Sequence, residues 1–494
     1  LRSFARQQAG HSEKDASRKG RQFSSARLLM QKTPGAQIAT SFWRCLMSKL
    51  HVGLDVSQKT VATCFVLDDG TEPVKRFSFE HNPAGVDKLV AKINATAEDL
   101  GIDQVLIGME TTGLLWWHLS EALRNCDELQ HLQPRIYAIN AKLVAHFKKA
   151  YVEMDKTDPG DAFVIADRLR FGRLPRPAEP DERYLAIQKL TRHRFHLTHS
   201  LAAEKNRFLT HLFLKFSGFC QEEPLSDPFG TASSALLTEF LSVDEIAQMP
   251  IENLTDFLIE KSNNRFADPE AVAKAIKQAA KDSYRLSKCL ADPVNIVLAM
   301  TMENIRLFEK QIACVDKAIA KELAAFPGAQ VLLSVPGLGP VFVAGIIAEV
   351  QDVNRFDTDA QLARFAAIVW KRSQSGAFEG DDTPMMHSGN EYLRYYFVEA
   401  ANLLRMHNEE YAAYYQTKYR EATTHHHKRA CVLTARKLVR LVHTLLRKGQ
   451  LYQTPDQRKE SHAVLPAGMT PGELARHVVR RRQAKDRSRV HLDH

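Results

Sequence analysis

The sequence predicts a mixed α/β domain followed by a long, mostly helical remainder. Two observations carry this. Short β-branched runs cluster before residue 140, first in succession and then alternating with helical periods. After the Pro-rich break LPRPAEPDE (174–182) the pattern becomes helical almost throughout.

LHVGLDV (50–56) and VATCFVL (61–67) read as strands, Asp69-Gly70 as a turn, and RFSFEH (76–81) as a third, alternating strand. Residues 83–98 read as a helix, VLIGME (105–110) as a buried strand, 114–123 as a helix and RIYAI (135–139) as a strand. A helix carrying Lys142 and Phe147 follows, then one over 158–171. This first domain is expected over 47–180. Beyond the break, 184–215 has a helical stripe of Leu190, Leu197, Leu201, Phe208 and Leu212 and is rich in Arg, Lys and His. A second long helix over 294–325 has Ile305, Ile312, Val315 and Ile319 as its stripe. Two long helices flanking a helical insertion (217–290) predict an antiparallel coiled-coil arm over 181–328, with an ordinary helical bundle as the other reading. A third unit spans 329–455. Its Pro-Gly-Leu-Gly-Pro segment between apolar runs has the form of a helix-hairpin-helix turn.

Charge is uneven. The chain holds 67 Lys/Arg and 58 Asp/Glu, but residues 1–46 carry nine against two and residues 471–494 seven against three. The body between is close to neutral, so nucleic-acid binding requires local basic faces. Residues 1–46 read as a basic disordered arm, or translation ahead of a start at Met47, in preference to a transit peptide; 456–494 reads as a basic tail. No apolar run reaches 18 residues, which argues against a spanning helix, and a cytoplasmic protein is expected. Seven scattered cysteines lack metal-ligand spacing and read as reduced and structural.

Chemistry gathers in two places. Asp55 ends the first strand in GLDVSQKT and Glu110 ends a buried strand in GMETTG. A carboxylate there is costly unless paired, hydrogen-bonded or on a metal. Asp158 and Asp161 in KTDPGDA are three apart, which places them on one helical face, with Pro159 in the first turn and Asp158 near the cap. Four such oxygen donors suit hard cations such as Mg²⁺, and two ions can clamp both oxygens of a phosphodiester exchange. Jointly they form the pattern of a ribonuclease H/RuvC-like nuclease. Asp155 and Asp167 are rival acids. In KRSQSGAFEGDD (371–382), Ser375 is a candidate nucleophile, with Lys371 and Arg372 able to hold a phosphate against it.

The ordered set GLDVSQKT, GMETTG, KTDPGDA, VPGLGP, QSG and SGNEYLRYY resembles the IS110/IS1111 family of transposases over most of 49–450. The resemblance implies a RuvC-like domain whose acids are Asp55, Glu110, Asp158 and Asp161, a coiled-coil arm, and a transposase domain whose nucleophile is Ser375. It implies a covalent phosphoserine link to DNA, Mg²⁺ (two ions), a structured noncoding guide RNA encoded by the element, and a homo-oligomer, dimer or tetramer, with shared active sites. The segment AAIVWKRSQSG departs from the family's glycine-leucine run ending in proline, and Ser373 is the rival hydroxyl. TPMMHSGN replaces a more basic stretch, and 217–290 is longer than a minimal arm.

Candidate nucleic-acid contacts are Lys156, Lys371, Arg372, Arg394 and the basic amphipathic helix with Lys428, Arg429, Arg436, Lys437 and Arg440. His425-His426-His427 reads as loop or phosphate-contact residues, and Trp116-Trp117 as core. The alternative functions are a RuvC-like Mg²⁺-dependent nuclease that cuts branched DNA with water, and a non-catalytic nucleic-acid-binding scaffold.

Overall fold

The computed structural model describes residues 48–457 except 112, 152–156, 175–176, 178–180, 241, 372–373, 376–377, 380–383 and 387, with backbone alone at 374–375 and 378–379. The readings placed on 1–46, Asp155, Lys156, Arg372, Ser373 and 458–494 lie outside the described residues. The chain divides into two compact units at residues 179/180.

The first unit is a five-stranded mixed sheet, ordered β3-β2-β1-β4-β5. β1 (Lys49–Val56), β2 (Thr60–Leu67) and β3 (Phe77–Glu80) form an antiparallel meander, while β4 (Gln104–Glu110) and β5 (Arg135–Ile139) run parallel to β1. The return to a parallel strand needs a crossover, which α1 (Pro83–Leu100) supplies before β4 and α2 (Leu115–Arg124) before β5. The α1 signals are legible: Asn82 Oδ1 accepts the Gly85 N–H at 2.8 Å, Pro83 opens the helix, and Gly101 at φ +63° closes it. Its buried stripe Val86, Leu89, Val90, Ile93 and Ala97 packs on the sheet face of Leu50, Val52, Leu54, Val61 and Phe65, where Trp116 of α2 also packs.

Side chains alternate along a strand, so His51, Gly53 and Asp55 face the other way. That face is covered by α3 (Ala141–Lys148) and α4 (Asp158–Phe171). Ala162 and Ala166 of α4 meet Ala62, Cys64 and Val66; Ile165 and Leu169 meet Leu106, Tyr137 and Ile139.

In the second unit, α5 (Glu182–Lys215) and α11 (Lys288–Leu323) run antiparallel, tied by Arg194–Asp316 at 2.5 Å and Lys205–Glu309 at 2.8 Å. Helix α11 begins six residues ahead of the sequence expectation and contains Pro293. Ala291 N–H already bonds back to Ser287 O at 3.0 Å, so the proline adds to a turn that has formed before it. The insertion resolves into α6 (Ser217–Glu222), α7 (Thr231–Glu239), α8 (Val243–Gln248), α9 (Ile251–Ser262) and α10 (Pro269–Lys281). Its Leu254, Leu258 and Ile276 share a core with Phe208 and Leu212 of α5 and Leu298 of α11.

The remaining helices are α12 (Pro327–Leu333), α13 (Pro340–Val350), α14 (Asp359–Phe365), α15 (Glu391–His407), α16 (Glu409–Glu421) and α17 (His426–Lys448). Their core takes in Ile187 of α5 and Ile319 of α11. The Pro-Gly-Leu-Gly-Pro turn joins α12 to α13. Gly337 there has φ +94° and lies so close to α15 that a Cβ would sit 3.3 Å from the Leu404 Cα. The turn is packed against a helix on that side.

Candidate active site

Two glycines set the acidic site. Gly53 on β1 is directly opposite Gly108 on the parallel β4. A Cβ on Gly53 would stand 2.1 Å from Ala162 O and 2.5 Å from Ala166 N, and one on Gly108 would stand 3.0 Å from the Leu169 side chain. The bare backbone lets α4 lie directly on the sheet. Asp55 and Glu110 each come two residues later, so they share the face that α4 covers, near the C-terminal ends of these adjacent inner strands. Asp158 and Asp161 are in the first turn of α4, Asp158 one turn before Ala162 and Asp161 next to it.

At the helix start Thr157 is the cap residue, its Oγ1 accepting the Gly160 N–H at 3.3 Å, with Asp158 next to it and Pro159 in the first turn. The Asp158 carboxylate is thereby left outside the capping bond.

The charges interact strongly. Burial pushes the Asp55 carboxyl up to about 6, and the nearby negative charges of Asp161, Asp158 and Glu110 push in the same direction. Lys148 of α3 opposes them and pairs with Asp161 Oδ1. A half-buried set of hard oxygen donors that repel one another fits a divalent cation in chemical type. Among the described residues, no three acidic, histidine or cysteine side chains converge closely enough to form a complete ligand group. Asp167, the rival acid, is committed elsewhere on α4: it accepts from the Tyr151 hydroxyl, and from Arg170 Nε at 2.6 Å.

The serine segment is a β-hairpin. At its base Trp370 bridges Met385, the Lys371 N–H bonds Pro384 O at 2.9 Å and the Met386 N–H bonds Val369 O at 2.9 Å. Further out, β6 (Gln374–Ser375) pairs antiparallel with β7 (Phe378–Glu379), with Ser375 opposite Phe378. The returning strand is fixed by the SGN motif: a Cβ on Gly389 would be 2.7 Å from Phe365 O, and the Asn390 N–H bonds that same oxygen at 2.7 Å.

Sequence reasoning missed Glu349 of α13. Its side chain is 1 % exposed, accepts Arg192 Nε and Nη2 at 2.7 and 2.8 Å, and accepts Asn390 Nδ2 at 2.6 Å. The available signal was a lone acid near the end of the apolar helix PVFVAGIIAEV.

The candidate basic contacts divide. Arg436 pairs with Asp359 at 2.8 Å, and Lys437 pairs with Glu410 at 3.0 Å and lies 4.8 Å over the Tyr411 ring, so both bind elements of their own unit. Arg440 reaches Asp359 only at 3.7 Å and is largely exposed, as are Lys428, Arg429 and Lys371. Arg394 is half-buried, and its Nη1 is buried without a hydrogen-bond partner among the described residues. The loop reading of the histidine run is corrected: His425 is the cap residue and His426 and His427 form the first turn of α17, where His427 Nδ1 meets the Tyr415 hydroxyl at 2.8 Å and His426 Nδ1 meets Tyr419 O at 2.9 Å.

The family model for the DEDD transposases of IS110, described as "Transposase", matches residues 52–216, and the model "Transposase IS116/IS110/IS902 family" matches residues 329–416. An uncharacterized 44.8 kDa protein of insertion element IS116 from Streptomyces clavuligerus is 26% identical over 333 residues, 65% of this chain and 78% of that protein. An uncharacterized 42 kDa protein of insertion element IS900 from Mycobacterium paratuberculosis is 22% identical over 79% of this chain and 94% of its own length. The structure of T. thermophilus RuvC in complex with a Holliday junction substrate aligns with 27% of this chain and 99% of its own, at 13% identity and a TM-score of 0.20.

Proposed function

The chain belongs to the IS110 family of transposases, and from that membership we propose that it cuts and exchanges DNA strands through Ser375, with Asp55, Glu110, Asp158 and Asp161 as ligands for Mg²⁺, two ions in all. Its class of activity is that of a DNA transposase. The observation that supports the metal-site reading is that Asp55 and Glu110 at the ends of β1 and β4 lie near Asp158 and Asp161 at the start of α4, where burial and then mutual repulsion push Asp55 up to about 6. That placement, the strand order and the DEDD family model support a RuvC-like reading of the first unit.

In the proposed step the Ser375 hydroxyl loses its proton and its Oγ forms a bond to phosphorus. One P–O bond to deoxyribose breaks, and the departing oxygen takes up a proton. The number of phosphoester bonds is unchanged, so a second DNA hydroxyl can reverse the step in a new joint without a nucleotide cofactor. A divalent cation at the acids supplies neutralisation of the phosphate's charge. Lys371, Arg372 and Arg394 are the proposed phosphate contacts for this step. Lys156, Lys428, Arg429 and Arg440 are proposed contacts to the nucleic-acid backbone. Arg436 and Lys437 serve that role less directly, because each already holds an acid of its own unit.

DNA is the proposed substrate, with a structured noncoding RNA as guide, acting in a cytoplasmic homo-oligomer, dimer or tetramer. No described helix is long and apolar enough to cross a membrane. The test is a denaturing-gel adduct assay with element-end DNA, Mg²⁺ and RNA transcribed from the element's flanks. Wild type is expected to give a shifted protein–DNA band that Ser375→Ala and Asp158→Ala each abolish. An adduct lost in Ser373→Ala and kept in Ser375→Ala moves the nucleophile by two residues.

A second reading has one observation in its favour: the acidic set lies wholly within the first unit. It is a nuclease that uses water. Nicking that survives Ser375→Ala and fails in Asp55→Ala would establish it.

A further inference from the structure

A cluster of aromatic and cationic side chains lies where α5 meets α15. Phe195 is its hub: the Tyr392 and Tyr395 rings lie 5.0 and 4.8 Å away, and the His196 and His199 rings 5.4 and 4.2 Å. The Arg192 guanidinium lies 4.5 Å over the Tyr392 ring and is locked there by the buried Glu349. His196 and His199 are exposed, and Phe195, Tyr392 and Tyr395 are half-buried. The rings meet edge-to-face or tilted and no pair is stacked in parallel, so each contact covers at most one face of one ring, and the Arg192 guanidinium covers one face of Tyr392. Helix packing alone calls for apolar side chains at such positions, whereas this cluster brings rings with polar edges to the surface.

We propose that this cluster is a stacking platform for unpaired bases of single-stranded DNA, the strand that leads away from Ser375. Three features select that occupant. Every base offers a π face, which suits rings of mixed type. Cations border the cluster: Lys189 is exposed and close enough to Arg192 to feel its charge, and His193 is exposed on the same helix, while the acids nearby are Glu349, which pairs with Arg192, Glu391 beside Arg192 and Glu399 beside Tyr395. Tyr392 comes two residues after Asn390, which anchors the end of the segment that carries Ser375. The choice of strand rests on the proposed role of Ser375, but binding itself does not.

The test uses the full chain and fluorescein-labelled oligonucleotides of one sequence, as single-stranded DNA, duplex DNA and single-stranded RNA, read by anisotropy. Tyr392→Leu and His199→Ala, the latter at an exposed ring that packs on Phe195, are expected to weaken single-stranded DNA binding by at least about fivefold each, with duplex binding within twofold. Tyr392→Phe, which keeps the ring, is expected to bind as wild type. Equal losses on single strand and duplex, a Tyr392→Phe defect matching Tyr392→Leu, or losses confined to RNA would each overturn the proposal. Ser375→Ala is expected to bind like wild type, so a failed adduct assay leaves this result readable.

Discussion

Gly53 and Gly108 stand side by side on parallel strands, and together they let α4 rest on the sheet at backbone distance. The site's geometry depends on this. Gly53→Ala meets two backbone atoms of α4 that cannot rotate away, so the helix must lift and carry Asp158 and Asp161 with it. We expect a loss of at least about 3 kcal/mol and no cleavage. Gly108→Ala meets Cγ and both methyls of the Leu169 side chain at 3.0 Å and no backbone atom among its three nearest contacts, and a side chain can shift; a loss of about 1 kcal/mol is expected. Thermal melts of both variants decide the point, and equal losses would contradict it.

Asp55 trades stability for chemistry. Its folded carboxyl titrates at about 6 against an ordinary 3.8, so between those values the folded state binds the extra proton. The charged carboxylate therefore weakens the fold fully above pH 6. The penalty shrinks as pH falls through 6 and is gone below about 4. Asp55→Asn is expected to raise stability at pH 7.5 by about 1–2 kcal/mol, after allowance for solvent screening, with no gain at pH 4 and no DNA cleavage. Urea denaturation at the two pH values measures this; a gain of equal size at both would refute the electrostatic cause.

Much of this was legible in the chain. β-Branched runs mark β1, β2 and β4; Asn82, Pro83 and Gly101 mark both ends of α1; and acids at the ends of apolar strands mark Asp55 and Glu110. What could not be read depends on contacts between distant segments. Nothing local to Glu349 reveals Arg192, 157 residues away, or Asn390. The short hairpin around Ser375 is held by bonds from residues 369–371 to 384–386, in a stretch too polar to show a strand period. Arg436 and Lys437 show the converse: a basic helix face looked free for phosphate because its partners, Asp359 and Glu410, come from other helices.

Lys148 is the counter-charge of the acidic site, because it pairs with Asp161 and pulls the Asp55 carboxyl down. Lys148→Met removes a positive charge that competes with any cation for Asp161. Without divalent metal the variant is expected to be less stable than wild type at pH 7.5 by about 1 kcal/mol. With Mg²⁺ present it is expected to gain more stability than wild type, since a ligand that binds the folded state stabilises it more the tighter it binds, with the logarithm of its concentration over Kd. Melting curves in EDTA and across a Mg²⁺ series test both halves. An unchanged Mg²⁺ response would show that Lys148 does not compete at the site.

Glu349 offers the sharpest separation of charge from packing in the second unit. It is almost wholly buried, and it joins Arg192 of α5 to Asn390, the residue that ends the serine segment and caps α15 by accepting the Leu393 N–H at 3.0 Å. Glu349→Ala strands a guanidinium and an amide beside a cavity, and a loss of about 3–5 kcal/mol is expected. Glu349→Gln preserves size and an acceptor for Asn390 and removes only the charge. Arg192 can turn partly to water, so a loss of about 1–2 kcal/mol is expected there. If Asn390 positions the hairpin, Glu349→Gln should also keep more adduct-forming activity than Asn390→Ala at matched folded fraction. Adduct yield measured alongside a melt separates these effects. Equal activity in the two variants would mean that the bond to Asn390 stabilises the unit without positioning Ser375.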